Sequence, residues 1–306
     1  MPFCRINPLY IQVMTMNYEG QICRSPMERG SFMLPVSVGC SYNRCRFCML
    51  FKHLTYRLLP LEQVRAEIDR IAGIGGNPKR IFLGDGSAFS LPTDRLLQIL
   101  DWIREAFPGC DSVSMDATVR NVLQKTDADL AALHEHLVTD LYLGIECGLE
   151  DVLKQMEKGN TLREAEEAIG RLHAAGIGYD AHIMTGICGA GRGEENAASL
   201  ADFFNRTKPE RICNFSLFLH RSAPLYEDIL AGRFQPADER ENLLEELRLL
   251  EAIGDYDLVY EGFHDMLPLR VRGKLPKDRE KMCQRLKEGI AALDANPEDN
   301  VIAYCC

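Results

Sequence analysis

The stretch Gly39-Cys40-Ser41-Tyr42-Asn43-Arg44-Cys45-Arg46-Phe47-Cys48 follows directly on the apolar run Leu34-Pro35-Val36-Ser37-Val38, so three thiols gather on one loop leaving a β-strand. The number three matters. A structural zinc site is closed by four ligands, whereas a [4Fe-4S] cluster held by three cysteines leaves one iron open to a substrate or cofactor. A zinc knuckle completed by a distant fourth ligand such as His53 is the alternative reading of the same triplet.

Beyond the loop, short β-type runs alternate with amphipathic helices, the pattern of a parallel sheet with helices outside. Strands are expected at Leu34 to Val38, Arg80 to Gly84, Ser112 to Val119, Asp140 to Ile145, Tyr179 to Thr185 and Arg211 to Leu219. Between them, Leu61 to Ala72 carries Val64, Ile68 and Ile71 at helical spacing, and Asp94 to Phe107 carries Leu96, Leu97, Leu100 and Ile103 on one face. Thr126-Asp127-Ala128-Asp129 and Thr161-Leu162-Arg163-Glu164 read as capping boxes opening two more helices, and Glu194 to Asn205 supplies another.

These β/α units imply an α/β fold, a partial (β/α)6 TIM-like barrel whose strand C-terminal ends form the reaction face, with the cysteine loop at one such end. After Tyr226 the strand rhythm stops, and Pro236-Ala237-Asp238 introduces a helix with Leu243, Leu244, Leu247, Leu250 and Ile253 on its apolar side. The expected organisation is an N-terminal segment at 1–30, the barrel at 31–226, and a mostly helical C-terminal extension at 227–306 that covers it.

The length of 306 residues suits one α/β barrel, and no stretch approaches the roughly 20 apolar residues that cross a bilayer. The N-terminus Met1-Pro2-Phe3-Cys4-Arg5 lacks a signal peptide's apolar region, so the chain reads as cytosolic. A formal charge of -10 argues against a nucleic-acid binder and for a small-molecule or protein substrate. Twelve cysteines in such a chain point to metal rather than disulfides where three cluster so tightly.

A strand, a three-cysteine loop with an aromatic before the last cysteine, and then six β/α units resemble the radical S-adenosylmethionine (SAM) superfamily over about residues 30–226. The resemblance implies an oxygen-sensitive enzyme in which Cys40, Cys45 and Cys48 hold a [4Fe-4S] cluster. The open iron binds SAM, and one electron cleaves it to a 5'-deoxyadenosyl radical that acts on an organic substrate. The loop departs from the usual pattern in placing four residues, Ser41 to Arg44, between the first two cysteines. That spacing marks a variant subgroup.

The resemblance also assigns cofactor-binding residues. Phe47 stands where an apolar ring lies against adenine. Gly84, Asp85 and Gly86 end the second strand where backbone holds the methionyl amine, and the two glycines permit close approach. Glu146, ending the fourth strand, is placed to accept from ribose hydroxyls or an ammonium group. Gly186 and Ile187 match the stretch beside adenine. His264, in Gly262-Phe263-His264-Asp265-Met266-Leu267-Pro268, is a candidate proton donor, with an exposed loop histidine as the alternative.

The remaining cysteines divide into small core residues (Cys110, Cys147, Cys188, Cys213) and the vicinal pair Cys305-Cys306, which could bind an acceptor or join Cys4, Cys23 or Cys283 around a second cluster. Expected partners are a small-molecule or peptide substrate and a low-potential electron donor such as flavodoxin or ferredoxin. Two other functions stay open: transfer of a methylthio or aminocarboxypropyl group from SAM, and a zinc-stabilised binding module without enzymatic activity.

Overall fold

A computed structural model describes residues 23–264, 267 and 269–305; Cys4, Asp265, Met266, Pro268 and Cys306 lie outside the described residues. Strand β1 (Phe32–Pro35) leads through β2 (Ser37–Val38) into the cysteine loop, and β3 (Arg57–Leu58) pairs antiparallel with β2 where that loop returns. The main sheet then grows by β4 (Arg80–Gly84), β5 (Ser112–Ala117), β6 (Val138–Glu146), β7 (Gly178–Thr185), β8 (Arg211–Ser216), β9 (Leu258–Phe263) and β10 (Arg270–Leu275). Its order is β1-β4-β5-β6-β7-β8-β9-β10, parallel from β1 to β9, with β10 antiparallel at the edge.

Strands stand at all six expected places, but Leu34 to Val38 divides between β1 in the main sheet and β2 in the pair with β3, and Val119 opens a helix instead of ending β5. Another difference lies after residue 227, where β9 and β10 extend the same sheet, so the C-terminal part is both a helical cover and two strands of the barrel wall. Leu258, Tyr260 and Gly262 are buried in alternation with half-buried Val259, Glu261 and Phe263, a period-two pattern too short and too broken by Glu261 and Gly262 to stand out in sequence.

The helices are built as their caps suggest. Helices α1 (Leu61–Gly73), α2 (Thr93–Ala106), α3 (Val119–Leu123), α4 (Asp127–Glu135), α5 (Glu150–Gln155) and α6 (Leu162–Ala174) cover the first strands. Thr126 and Thr161 accept from the third-residue amide while Asp129 and Glu164 bond back, complete capping boxes worth about 1 kcal/mol each. Helix α2 buries Leu96, Ile99, Leu100 and Ile103 at i, i+3, i+4 and i+7, each contributing about 1.5–3 kcal/mol.

Helices α7 (Gly193–Thr207), α8 (Leu225–Leu230), α9 (Glu239–Ala252) and α10 (Arg279–Ala295) follow, with α9 packed against both α7 and α10. Asp238 caps α9 in a box with Glu241, as the sequence suggests. None of the helices among the described residues is long and apolar enough to cross a membrane.

Alternation along the strands gives the sheet two faces. Ile81, Leu83, Leu141, Leu143 and Ile212 point to the helices and join the main core, whereas Phe82, Tyr142 and Cys213 form a separate cluster in the barrel lumen with Met33 and Phe215. The lower mouth is closed by Glu28, 1% exposed, whose carboxylate accepts from Arg80 (2.7 Å), Ser114 (3.2 Å) and Tyr142 (2.7 Å). The described part of the N-terminal segment thus runs from Cys23, whose N donates to Asp85 at the end of β4, to a Glu28 plug at the opposite mouth, and the cysteine loop stands at the strand C-termini.

Candidate cofactor site

The cysteine loop is fixed at both its base and its tip. Gly39 turns the chain at φ +75°, and Asn43 adopts the left-handed φ +45° with its side-chain amide donating to Phe51 O at 2.8 Å. Lys52 Nζ donates to Asn43 O at 2.8 Å, so the four-residue interval between Cys40 and Cys45 is a buttressed turn rather than slack. Arg46 N donates to Met156 O and Leu225 N donates to Arg46 O, both at 2.9 Å, and the Arg46 guanidinium pairs with Asp228 and Glu157. Tyr42 OH donates to Glu157 O at 2.7 Å.

Cys40, Cys45 and Cys48 are free thiols, half-buried, and near enough that Cys48 and Cys40 raise Cys45 and Cys40 raises Cys48. Burial pushes Cys45 up to about 11 and raises Cys48, so ligation must displace protons from these sulfurs. Among the described residues no three His, Cys, Asp or Glu side chains converge on the position of a single metal ion, and His53 is exposed.

The end of β4 packs onto this loop. A Cβ at Gly86, which has φ +62°, would fall inside the contact radius of the Gly39 carbonyl oxygen, so only glycine permits the approach. Ser37 Oγ donates to Asp85 O at 2.8 Å and Ser41 Oγ bonds Ser87 Oγ at 2.8 Å, tying the two loops. The Asp85 carboxylate, 1% exposed, accepts from Cys23 N (3.1 Å) and Gly86 N (2.8 Å). Its side chain therefore serves the turn, while Gly84 and Gly86 offer backbone.

Glu146 ends β6 beside a bulge and holds the left-handed φ +67°, a strained backbone for a side-chain-bearing residue that turns its carboxylate toward the thiols. Its Oε1 accepts from Lys158 Nζ at 2.8 Å, with both side chains 8% exposed. Burial alone would lower the Lys158 ammonium, but the Glu146 carboxylate and the facing Cys45 and Cys40 sulfurs push it above its usual value. Gly144 makes the pair possible, since a Cβ there would collide with both charged groups.

Phe47 and Ile187 lie in one apolar cluster with Cys147, Cys188, Leu225 and Phe234, against which Cys45 and Cys48 pack. The Phe47 ring is 7% exposed and Ile187 is 0% exposed, so both form a wall beneath the loop. Gly186, at φ +81°, ends β7 beside them. His264 is neither an exposed loop histidine nor among the thiols: it is 1% exposed, with Nε2 bonded to Glu246 at 2.5 Å and Nδ1 to Ser216 at 2.9 Å.

Cys110, Cys147, Cys188 and Cys213 are buried, as expected of core residues. Among the described residues, Cys23, Cys283 and Cys305 lie in different parts of the fold. Cys283 is buried in α10 near Glu251, Cys305 pairs with His220 through backbone bonds at Leu219 and Arg221, and Cys23 lies near Cys48.

Sequence reasoning missed several residues here. Lys158 sits on a turn with nothing around it in sequence to mark it. Asp116, on the luminal side of β5, is pushed up to about 8 by burial and by Asp85 and Glu28. His182, on β7, is held down near 4 by burial, Lys158 and Arg211, and its Nε2 has no hydrogen-bond partner. Its ring stands between Tyr142 (5.3 Å) and Phe215 (5.6 Å), and Phe215 stacks on Phe263 at 5.3 Å.

The family model described as the radical SAM superfamily matches residues 34–203. The chain belongs to the radical SAM superfamily. This radical SAM chain is 26% identical over 178 residues to the tRNA-2-methylthio-N(6)-dimethylallyladenosine synthase of Prosthecochloris aestuarii, covering 54% of the chain and 38% of that protein. It is 25% identical over 197 residues to the ribosomal protein uS12 methylthiotransferase RimO of Caldanaerobacter subterraneus subsp. tengcongensis, covering 60% and 42%. The matches thus span about two fifths of the length of these curated relatives.

Among solved structures, coproporphyrinogen III oxidase (HemN) of Escherichia coli superposes with a TM-score of 0.55 at 12% identity, covering 79% of the chain and 59% of that protein. The radical SAM methyltransferase TsrM of Kitasatospora setae, bound to cobalamin and a [4Fe-4S] cluster, gives 0.53 at 19%, covering 66% and 39%. The fold is shared. The protein is a radical SAM enzyme whose superfamily cofactors are a [4Fe-4S] cluster and SAM, so the non-enzymatic zinc module is set aside.

Proposed function

We propose that Cys40, Cys45 and Cys48 ligate the [4Fe-4S] cluster and that Lys158 and Glu146 receive the methionyl end of SAM beside it. The enzyme then abstracts hydrogen from, or adds to, an organic substrate in the barrel lumen. The observation that carries this reading is the buried Lys158–Glu146 pair facing the cysteine sulfurs. Cation and anion side by side match a zwitterion, with Lys158 donating to its carboxylate and Glu146 accepting from its ammonium or from ribose hydroxyls. When bound, the cluster and SAM supply one-electron cleavage to a 5'-deoxyadenosyl radical.

The chain's own residues do the rest. Gly84 and Gly86 let backbone approach the cofactor, Phe47 and Ile187 give adenine an apolar wall, and Gly186 turns the chain beside them. His264, with both ring nitrogens engaged, would deliver a proton through Ser216 rather than directly. The half-buried Asp116, His182, Phe215 and Phe263 line the lumen where a small-molecule or peptide substrate would sit. The cluster loop from residue 40 to 58 carries Arg44, Arg46, Lys52, His53 and Arg57 and no acid, which suits an acidic low-potential donor such as flavodoxin or ferredoxin.

The names of the curated relatives favour one second reading, methylthio transfer, with the acceptor near Cys305. A second cluster would be its signature. Iron counted after anaerobic reconstitution separates the two: about four per chain in wild type and in a Cys305→Ser/Cys306→Ser variant supports hydrogen abstraction or addition with one cluster. About eight falling to four in the variant supports group transfer. Loss of iron in Cys45→Ala is required by both, and a Cys45→Ala protein that keeps all its iron refutes the ligand assignment.

A further inference from the structure

The two loops assigned above to SAM, at the ends of β6 and β7, are joined by a buried hydrogen-bonded chain that originates outside the barrel strands. Gly148 N donates to Asn196 Oδ1 at 2.7 Å, and Asn196 Nδ2 donates to Glu245 Oε1 at 2.6 Å. The other oxygen, Glu245 Oε2, accepts from Gly186 N at 2.9 Å. Ser199 Oγ donates to Gly148 O at 2.6 Å, fixing the same glycine from its other side. Asn196 is 0% exposed and Glu245 3% exposed, so water does not substitute for either.

The polarity of this chain is determined. Both ends are backbone N–H groups, which only donate, so Glu245 must accept at both oxygens and Asn196 must present oxygen to Gly148 and nitrogen to Glu245. Gly148 has no room for adjustment, since a Cβ there would lie 2.7 Å from Leu200 N. Glu245 sits on α9, in the C-terminal part, and Asn196 on α7.

We propose that Glu245 and Asn196 are positioning residues that hold the Glu146-bearing and Gly186-bearing loops at the separation SAM requires, so that α9 sets cofactor affinity without touching the cofactor. This rests on the assignment of those loops to SAM made above.

The polarity argument supplies its own test. Glu245→Gln turns one acceptor into a donor facing the Asn196 amide, and Asn196→Asp places two acceptors against each other. The double variant Glu245→Gln/Asn196→Asp restores every donor–acceptor match: the new amide on α9 donates to the new carboxylate on α7, while its carbonyl accepts from Gly186 N. Full-length, anaerobically reconstituted proteins are compared for iron content, SAM dissociation constant by equilibrium dialysis, and hydrogen exchange at 146–148 and 186–189.

Each single variant should keep its iron, weaken SAM binding by about tenfold or more, and exchange faster in both loops, while the double returns to within about threefold of wild type. Singles that bind SAM as wild type does, or a double no better than the singles, overturn the inference. Wild-type protein that binds no SAM would instead sink the assignment of the site. Exchange at the two loops would then still decide whether Glu245 and Asn196 hold them.

Discussion

Glu146 and Lys158 show at the residue scale why one buried charge needs the other. Removing Lys158 leaves a buried carboxylate unpaired, a loss of about 3–5 kcal/mol for such a pair, so Lys158→Ala should lower the denaturant midpoint sharply. Glu146→Gln/Lys158→Met should recover most of that stability yet bind SAM at least about tenfold more weakly, because a neutral pair cannot match a zwitterion. Recovery of both stability and SAM binding would contradict the role given to the pair. Gly86→Ala makes a second residue-scale prediction: its Cβ overlaps the Gly39 carbonyl, so the variant should fold but take up less than half the wild-type iron, measured after reconstitution. Cys40, Cys45 and Cys48 stand out in sequence by residue type and spacing, and Glu146 through the family resemblance at a strand end. Lys158 does not, since its partner lies across a turn and nothing local marks a lysine as buried.

At the scale of elements, caps and helical faces were the legible part. Thr126, Thr161 and Asp238 open helices through contacts three residues away, and such short-range chemistry survives in sequence. Thr161→Ala should accordingly cost about 1 kcal/mol in urea denaturation with little change in iron content, and a loss of cluster would mean that α6 does more than pack. Strands β9 and β10 were illegible because their burial depends on β8 and on each other, not on a long alternating run. The same holds for Glu245, Glu246 and His264. Nothing in sequence singles out Glu245 or Glu246, and His264 reads as a candidate proton donor with an exposed loop histidine as the alternative, whereas packing of α9 on the sheet buries all three.

For the whole molecule, the acid-rich composition hides carboxyls whose ionisation the fold delays. Burial pushes Asp116 up to about 8 and Asp180 up to about 7, each above its unfolded value. A raised acid binds its proton more tightly folded than unfolded, so stability present below about pH 4 is lost progressively as pH rises through about 8. The apoprotein should therefore unfold at lower urea at pH 8 than at pH 6.5, and Asp116→Asn should shrink the difference. An unchanged midpoint across that window would contradict the burial assigned to Asp116. The central claim, that the thiols at the upper mouth of this barrel serve a cluster that cleaves SAM, is tested most directly by product analysis. Anaerobically reconstituted protein given SAM and a low-potential reductant should release 5'-deoxyadenosine, and Cys45→Ala should release none; wild-type protein that carries its iron, binds SAM and yields no 5'-deoxyadenosine would contradict it.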